Sequence, residues 1–158
     1  MFPATTARQD GIADVLRRGV MRWLVDQGYQ PLAEFTLSTG RRIDVFGLDD
    51  RGDTVAVEIK SGLPDFLADQ KWRDYLGFCD RFYFAVSADF PTERLPEDAG
   101  ILVADGFGAD VFCEPPRLTI APARRRSLIL RFACTSAARL YRAEMPAGEP
   151  RFDRISFG

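Results

Sequence analysis

The chain has 158 residues, 46% of them hydrophobic and 28% charged, with a formal net charge of −2, which is typical of one soluble globular domain. It contains no His, which excludes Ser-His-Asp triads, His-ligated metals and imidazole acid–base catalysis. Three widely spaced Cys without a CxxC pair, no apolar run of membrane-spanning length and no secretory signal pattern together predict a cytoplasmic protein with no membrane partner.

Hydrophobic periodicity predicts helices and strands in alternation along the chain, without an internal repeat. In chain order the predicted elements are a helix over residues 6–28, strands over 31–37, 42–48 and 54–60, a helix over 64–79, a strand over 82–87, two short strands over 101–104 and 110–113, and a helix over 123–143. The cluster Asp49-Asp50-Arg51-Gly52-Asp53 indicates a hairpin turn between the second and third strands. We therefore predict an α/β fold with a mixed sheet, in one domain over residues 1–145 followed by a loosely held tail over 146–158.

Three charged side chains interrupt the two strands of this hairpin, namely Asp44, Glu58 and Lys60. If the turn is centred on Arg51, Asp44 lies opposite Glu58, with the two Cβ atoms about 5 Å apart. Side chains alternate along a strand, so Glu58 and Lys60 lie on one face. The three side chains are therefore expected to converge on one site.

Two adjacent carboxylates in strands of Val, Ile, Phe and Ala repel each other and are costly to bury. A divalent cation compensates for this cost, because Mg²⁺ prefers oxygen ligands and commonly binds one or two carboxylates together with substrate phosphate. Lys60 then either positions or deprotonates the attacking water, or stabilises the charge that develops on the phosphate. The pattern thus predicts phosphodiester hydrolysis by a metal-activated water, with Asp44, Glu58 and Lys60 as the catalytic residues. An alternative is that the carboxylates lie at a sheet edge and that Lys60 is their structural salt-bridge partner.

The order of these residues resembles the PD-(D/E)xK nuclease superfamily, whose motif is an acid on one strand and acid–x–Lys on the next. Here Asp44 is followed by Glu58-Ile59-Lys60. The resemblance implies a restriction-endonuclease-like α-β-β-β-α-β core over residues 6–87, to which this chain adds a C-terminal strand pair and helix. It also implies Mg²⁺ or Mn²⁺ as the cofactor, held by Asp44, Glu58 and the main-chain carbonyl of Ile59.

A longer stretch is similar to the MmcB family of bacterial DNA repair proteins. The similarity covers most of the chain and is carried by Val57-Glu58-Ile59-Lys60-Ser61, Asp65-Phe66, Asp69-Gln70-Lys71-Trp72, Tyr75 and Cys79-Asp80-Arg81-Phe82-Tyr83-Phe84-Ala85-Val86. It implies DNA as the partner, and with it a nucleoid-associated location in the cytoplasm. It does not by itself establish cleavage.

The chain departs from the nuclease pattern at two places. Many PD-(D/E)xK proteins carry a further acid on the first helix; here that helix offers Asp10 and Asp14, which both lie off its apolar stripe, so this ligand is not assigned. Glu34, on the first strand, is another candidate contributor. Several relatives have a Gln-x-x-x-Tyr pair after the motif, where this chain has Lys71 and Tyr75, one helical turn apart. Lys71 is either a phosphate contact or a solvated side chain.

Arginine clusters supply further candidate contacts with nucleic acid. Arg41 and Arg42 lie beside the predicted site, where they are well placed for phosphate contacts. Arg124, Arg125 and Arg126 give the last helix a basic side, which either binds a nucleic-acid backbone or is a solvated helix face.

Three functions are compatible with these patterns. The first is a metal-dependent DNA endonuclease or exonuclease that acts in repair. The second is a catalytically inactive DNA-binding scaffold on a nuclease fold, and the third is a structural or interaction domain whose charges form only a salt-bridge cluster. A homodimer or a complex with other repair proteins is a candidate assembly.

Overall fold

The computed structural model describes residues 4–69, 71–145 and 148. Its helices are α1 (Ala4–Asp26), α2 (Leu63–Ala68) and α3 (Pro122–Glu144), with 3-10 helices at Trp72–Phe78 and Thr92–Arg94. Its strands are β1 (Gln30–Thr36), β2 (Arg42–Leu48), β3 (Thr54–Ile59), β4 (Arg81–Val86), β5 (Gly100–Ala104) and β6 (Ala109–Cys113). Apart from Gly148, the tail predicted over 146–158 lies outside the described residues. None of the helices in the described ranges combines the length and the hydrophobicity that a bilayer-spanning segment needs.

The six strands form one mixed sheet in the order in which they occur along the chain. β1, β2 and β3 pair antiparallel, β3, β4 and β5 pair parallel, and β6 returns antiparallel to β5. The predicted α/β class, the α-β-β-β-α-β order and the C-terminal strand pair and helix are confirmed. The hairpin register is confirmed as well, because Val45 faces Val57, as a turn centred on Arg51 requires.

The single helix predicted over residues 64–79 is wrong, because the chain forms two short helices there. α2 ends at Ala68, and Asp69 follows it with an extended backbone (φ −89°, ψ 106°) before the 3-10 helix begins at Trp72. The Asp69 carboxylate accepts a hydrogen bond from the main-chain N of Lys71 at 2.9 Å. This local bond competes with continued α-helical hydrogen bonding and accounts for the break.

Each face of the sheet packs against its own helices. α1 packs on one face, where its Leu24 and the strand residue Val57 belong to one cluster of mostly aliphatic side chains. The 3-10 helix and α3 pack on the other face, where Trp72 stacks on Phe82 with the ring centroids 5.4 Å apart. Because Glu58 alternates with the α1-facing Val57 along β3, it points toward the face that carries the 3-10 helix.

Gly19 allows α1 to approach the turn between β5 and β6 closely. A Cβ at Gly19 would lie 1.9 Å from the main-chain O of Asp105 and 2.5 Å from that of Gly108. We expect Gly19→Ala to lower the free energy of unfolding by about 1–3 kcal/mol or more, because two backbone segments would have to separate. Gly11→Ala, on the same helix, is the matched control, because a Cβ there meets no atom within 4 Å. Chemical denaturation measures both variants, and equal stabilities would contradict the close approach.

Candidate metal-binding site

Asp44 and Glu58 lie where the hydrogen-bond ladder between β2 and β3 opens. Beyond the Val45–Val57 pair, their carboxylates replace main-chain acceptors. Glu58 Oε1 accepts the main-chain N–H of Asp44 at 3.2 Å, and Asp44 Oδ2 accepts that of Ile59 at 2.8 Å. These reciprocal bonds fix each carboxylate to the backbone of the other strand, so the structure brings the two predicted acids together.

An irregular residue of β1 lies beside this pair. Glu34 falls opposite Asp44 in the β1–β2 register and has a φ of +50°, in the left-handed region that non-glycine residues rarely adopt. Ile43 and Phe46 are three residues apart and would point to opposite faces of a regular strand, but both pack in the same core cluster. The regular alternation of side chains along β2 is therefore interrupted near Asp44. The exposed Glu34 carboxylate lies 3.9 Å from Arg42 Nη2. The unusual backbone of Glu34 therefore lies beside the irregular part of β2. A contact between the Glu34 carboxylate and a metal stays a prediction.

Burial dominates the electrostatics of the two acids. Glu58 is 6% exposed, and burial followed by the negative charge of Asp44 raises the pKa of Glu58 to about 8, against the opposing effect of Lys60. Burial also raises the pKa of Asp44 above its ordinary value, because the hydrogen bond from Ile59 and the charge of Lys60 offset it only in part. The positive charges and hydrogen-bond donors around Asp44 and Glu58 therefore do not fully compensate for the negative charge of the two ionised carboxylates.

Lys60 is buried beside these carboxylates but pairs with a different acid. Its side chain is 5% exposed, and its Nζ donates to Asp69 Oδ2 at 2.7 Å. Burial raises the pKa of Asp69, but the hydrogen bonds from Lys60 and from the main chain of Lys71 outweigh this effect and leave that pKa below its ordinary value. The alternative in which Lys60 is the salt-bridge partner of Asp44 and Glu58 is therefore wrong about the partner.

Asp69 lies in the stretch that is similar to the MmcB family, but the sequence patterns did not assign it a role at the site. A signal was present, since a buried Lys in an apolar strand requires a counter-ion. A continuous helix over residues 64–79, however, gives no reason to turn Asp69 back toward β3. The helix break at Asp69 is what brings its carboxylate to Lys60.

Tyr75 and Lys71 belong to the 3-10 helix that follows α2 and to its N-cap. Tyr75 Oη donates to the main-chain O of Arg42 at 3.1 Å. Burial, followed by the charge of Glu58 and of two further carboxylates, raises the pKa of Tyr75 to about 12. Tyr75 is thus within electrostatic reach of the pair. Lys71 is exposed at the N-cap of the 3-10 helix, and its contact with phosphate stays a prediction.

Arg41 and Arg42 precede Asp44 along the chain. Arg41 is half-buried and pairs with Asp74, with Nη2 and Oδ2 2.7 Å apart. Arg42 is exposed, and its positive charge lowers the pKa of Asp44 in opposition to burial. Of the two arginines, Arg42 is the better placed to meet a phosphate at the site.

The three arginines at the start of α3 differ in their contacts. Arg124 lies over the ring of Phe78, with its guanidinium carbon 4.4 Å from the ring centroid. Arg125 donates two hydrogen bonds to Asp80, at 2.8 and 2.7 Å. Arg126 is exposed. The fold therefore uses Arg124 and Arg125 internally, and nucleic-acid binding by the three stays a prediction.

The acids of α1 contribute no identified ligand. Asp14 is exposed and pairs with Arg17 at 2.8 Å. α1 also packs on the face of the sheet opposite the one toward which Glu58 points. The side chain of Asp10 lies outside the part of the chain that the structure describes.

The oxygen atoms at the site suit a small, hard divalent cation. In the described ranges, no group of three or more His, Cys, Asp or Glu side chains is arranged to hold a metal ion. The candidate ligands are the carboxylates of Asp44 and Glu58, together with the main-chain carbonyl of Ile59 that the resemblance to the PD-(D/E)xK superfamily implies, all of them oxygens. Mg²⁺ commonly takes one or two carboxylates and fills its remaining positions with water and phosphate. The residues present therefore fit Mg²⁺ or Mn²⁺ in donor chemistry.

Glu58→Gln is expected to change the pH dependence of stability. Burial raises the pKa of Glu58 from its ordinary value of 4.5 to about 8 in the folded protein. Between these two pH values, Glu58 is therefore protonated to a greater extent in the folded state than in the unfolded state. The contribution of Glu58 to the free energy of unfolding therefore falls as the pH rises through this window. Gln does not titrate, so in metal-free buffer the stability of the variant relative to the wild type should increase from about pH 5 to about pH 8. Chemical denaturation across this range measures the difference, and parallel curves would contradict the raised pKa.

Comparisons with known proteins agree on a relationship that spans most of the chain. A family model described as "DNA repair protein MmcB-like" matches residues 2–147. The solved structure of SPO1766, a protein of unknown function from Silicibacter pomeroyi, is similar with a TM-score of 0.84 and 41% sequence identity, over 89% of this chain and 97% of that one. No curated protein matches the chain. The chain belongs to the MmcB-like family of DNA repair proteins.

Proposed function

We propose that this protein is a divalent-metal-dependent nuclease that hydrolyses phosphodiester bonds of DNA during repair. The observation that carries the proposal is the pair of half-buried Asp44 and buried Glu58. Main-chain hydrogen bonds hold the two side chains together, and Lys60 pairs with Asp69 and not with them. Membership of a DNA repair family supports DNA as the partner. The arrangement also resembles that of the PD-(D/E)xK superfamily.

In this proposal Asp44, Glu58 and the Ile59 carbonyl hold Mg²⁺ or Mn²⁺. The ion supplies positive charge for a phosphate oxygen and for the hydrolytic water. The reciprocal hydrogen bonds of Asp44 and Glu58 with the strands hold the carboxylates in place before the ion arrives, which limits the reorganisation that binding requires. Exposed Arg42 is the candidate contact for the flanking DNA backbone.

Lys60 is proposed to stabilise charge on the scissile phosphate. Its Nζ donates to the Asp69 carboxylate at 2.7 Å, which is the geometry of an ammonium held by an ion pair. An ammonium in this state is suited to interact with a phosphate oxygen and is a poor acceptor of a proton from water. This contact supports charge stabilisation over deprotonation of the attacking water.

A cleavage assay tests the proposal. Supercoiled plasmid, linear duplex and single-stranded DNA are each incubated with purified protein and Mg²⁺, Mn²⁺ or a chelator. We expect cleavage of at least one substrate with metal and none with chelator. Absence of cleavage of all three with both metals would contradict the proposed activity, and the substrate that is cut distinguishes endonuclease from exonuclease action.

A second candidate function is a DNA-binding scaffold without catalysis. It is favoured by the small number of candidate ligands, since the described ranges contain no group of three or more His, Cys, Asp or Glu side chains arranged to hold a metal ion. Asp14 of α1 pairs with Arg17 instead. This function predicts salt-dependent DNA binding that survives Asp44→Ala, with no cleavage under either metal. A homodimer, a complex with other repair proteins and association with the nucleoid also stay predictions.

A further inference from the structure

Asp69 occupies a fixed position beside Lys60. It follows α2 at the break before the 3-10 helix, and its side chain is largely buried. One carboxylate oxygen, Oδ1, accepts the main-chain N–H of Lys71 at 2.9 Å. The other, Oδ2, accepts from Lys60 Nζ at 2.7 Å. The backbone therefore orients Asp69 independently of its contact with Lys60.

Two other acids, Asp44 and Glu58, lie beside Lys60, but its side chain hydrogen-bonds to Asp69. Glu58 is two residues before it on the same face of β3, and the charge of Lys60 acts on both Glu58 and Asp44. An ammonium that paired with these carboxylates would offset the charge of one of them and occupy oxygens that a cation needs. In the described part of the chain, the pair instead accepts main-chain hydrogen bonds at Glu58 Oε1 and Asp44 Oδ2.

We infer that Asp69 is a positioning residue that holds the Lys60 ammonium away from the Asp44–Glu58 pair and so keeps the pair open to a divalent cation. Asp69 touches neither reacting atoms nor metal in this role and acts through Lys60. The inference rests on the proposed metal-dependent function. The extended backbone of Asp69 after α2 accompanies this contact with Lys60.

Calorimetric titration with Mn²⁺ tests this role without depending on catalysis. Four proteins are compared: the wild type, Asp69→Asn, Lys60→Met and the double variant. Asn keeps the oxygen that accepts the Lys71 N–H but loses the charge that holds Lys60. We expect Asp69→Asn to weaken Mn²⁺ binding by about 10-fold or more, as substitutions of residues that orient metal ligands commonly do. In the Lys60→Met background the same substitution should change Mn²⁺ affinity by less than about 2-fold, because no ammonium remains to be released.

Asp98→Asn is the matched control, because Asp98 pairs with Arg73 on an exposed surface and its loss should leave Mn²⁺ affinity unchanged. Thermal melting verifies that each variant is folded. If Asp69→Asn is not folded, Asp69→Glu is titrated in its place. Asp69→Glu should also weaken Mn²⁺ binding, because the longer side chain displaces Lys60. Equal Mn²⁺ affinity of the wild type and the Asp69 variant overturns the inference alone. An equal loss in both Lys60 backgrounds also overturns it, because Asp69 would then act on the ion directly. Absence of Mn²⁺ binding by the folded wild type overturns the proposed function and this inference with it.

Discussion

Asp44→Asn and Lys60→Met should each reduce metal-dependent DNA cleavage by about 10²–10³-fold or more while leaving the protein folded. Asp44→Asn keeps the size of the side chain and an oxygen for the Ile59 N–H, but removes one of the two charges proposed to bind the ion. Lys60→Met keeps most of the buried volume and removes the ammonium proposed to face the phosphate. Rates of plasmid and oligonucleotide cleavage with Mg²⁺ and Mn²⁺ measure both effects.

Asp50→Asn is the control for the loss of a carboxylate on this hairpin, because Asp50 is exposed in the turn. It should cleave DNA at the wild-type rate. If Asp44→Asn and Lys60→Met also retain wild-type cleavage, the assignment of the catalytic centre is wrong. Loss of cleavage in the Asp50 control would instead indicate a general effect of the hairpin on activity.

Asp80→Ala should lower the free energy of unfolding by about 3–5 kcal/mol, because it removes the acceptor at the centre of a buried polar network. Asp80 is 2% exposed and accepts hydrogen bonds from the main-chain N and the hydroxyl of Thr54, at 2.8 and 3.1 Å. It also accepts both bonds from Arg125, so it joins the beginnings of β3 and β4 to α3. Urea denaturation measures the loss.

Asp98→Ala is the control for Asp80→Ala, because its ion pair with Arg73 is exposed and should contribute less than about 1 kcal/mol. Burial raises the pKa of Asp80, but the hydrogen bonds from Arg125 and Thr54 outweigh it and hold that pKa below its ordinary value. The stabilisation from Asp80 should therefore be present at neutral pH and be lost as the pH falls below about 4. Equal, small effects of the two substitutions would contradict the role of the network.

The network also determines how DNA binding by α3 can be tested. Arg125 is anchored to Asp80, so a change in DNA affinity after Arg125→Ala would be confounded with lost stability. Arg126 is exposed and makes no such contact in the described ranges. Arg126 is therefore the residue at which a phosphate contact can be measured separately from folding.

The hairpin at the site was predictable because two local rules determine it. The Asp/Gly turn sets which residues face each other, and strand alternation sets which face each side chain occupies. Val45 therefore pairs with Val57 as expected, and Asp44 and Glu58 meet just beyond this pair. Neither rule requires knowledge of the rest of the fold.

The partner of Lys60 was not predictable by such rules. The apolar spacing of the 64–79 segment is compatible with a continuous helix, and the break depends on a bond between the Asp69 carboxylate and the Lys71 backbone. The contact of Asp80 with Arg125 joins residues 45 positions apart, which no local pattern reports. Glu34 presents a similar case, since a positive φ at a non-glycine residue arises from its packing context.

The most direct test of the account is a crystal structure of the protein grown or soaked with Mn²⁺, with anomalous diffraction recorded. We expect an anomalous peak within about 2.0–2.5 Å of one oxygen each of Asp44 and Glu58. We also expect Lys60 to remain paired with Asp69 in the absence of DNA. Well-ordered carboxylates without a peak at saturating Mn²⁺, or Lys60 inserted between Asp44 and Glu58, would contradict the account.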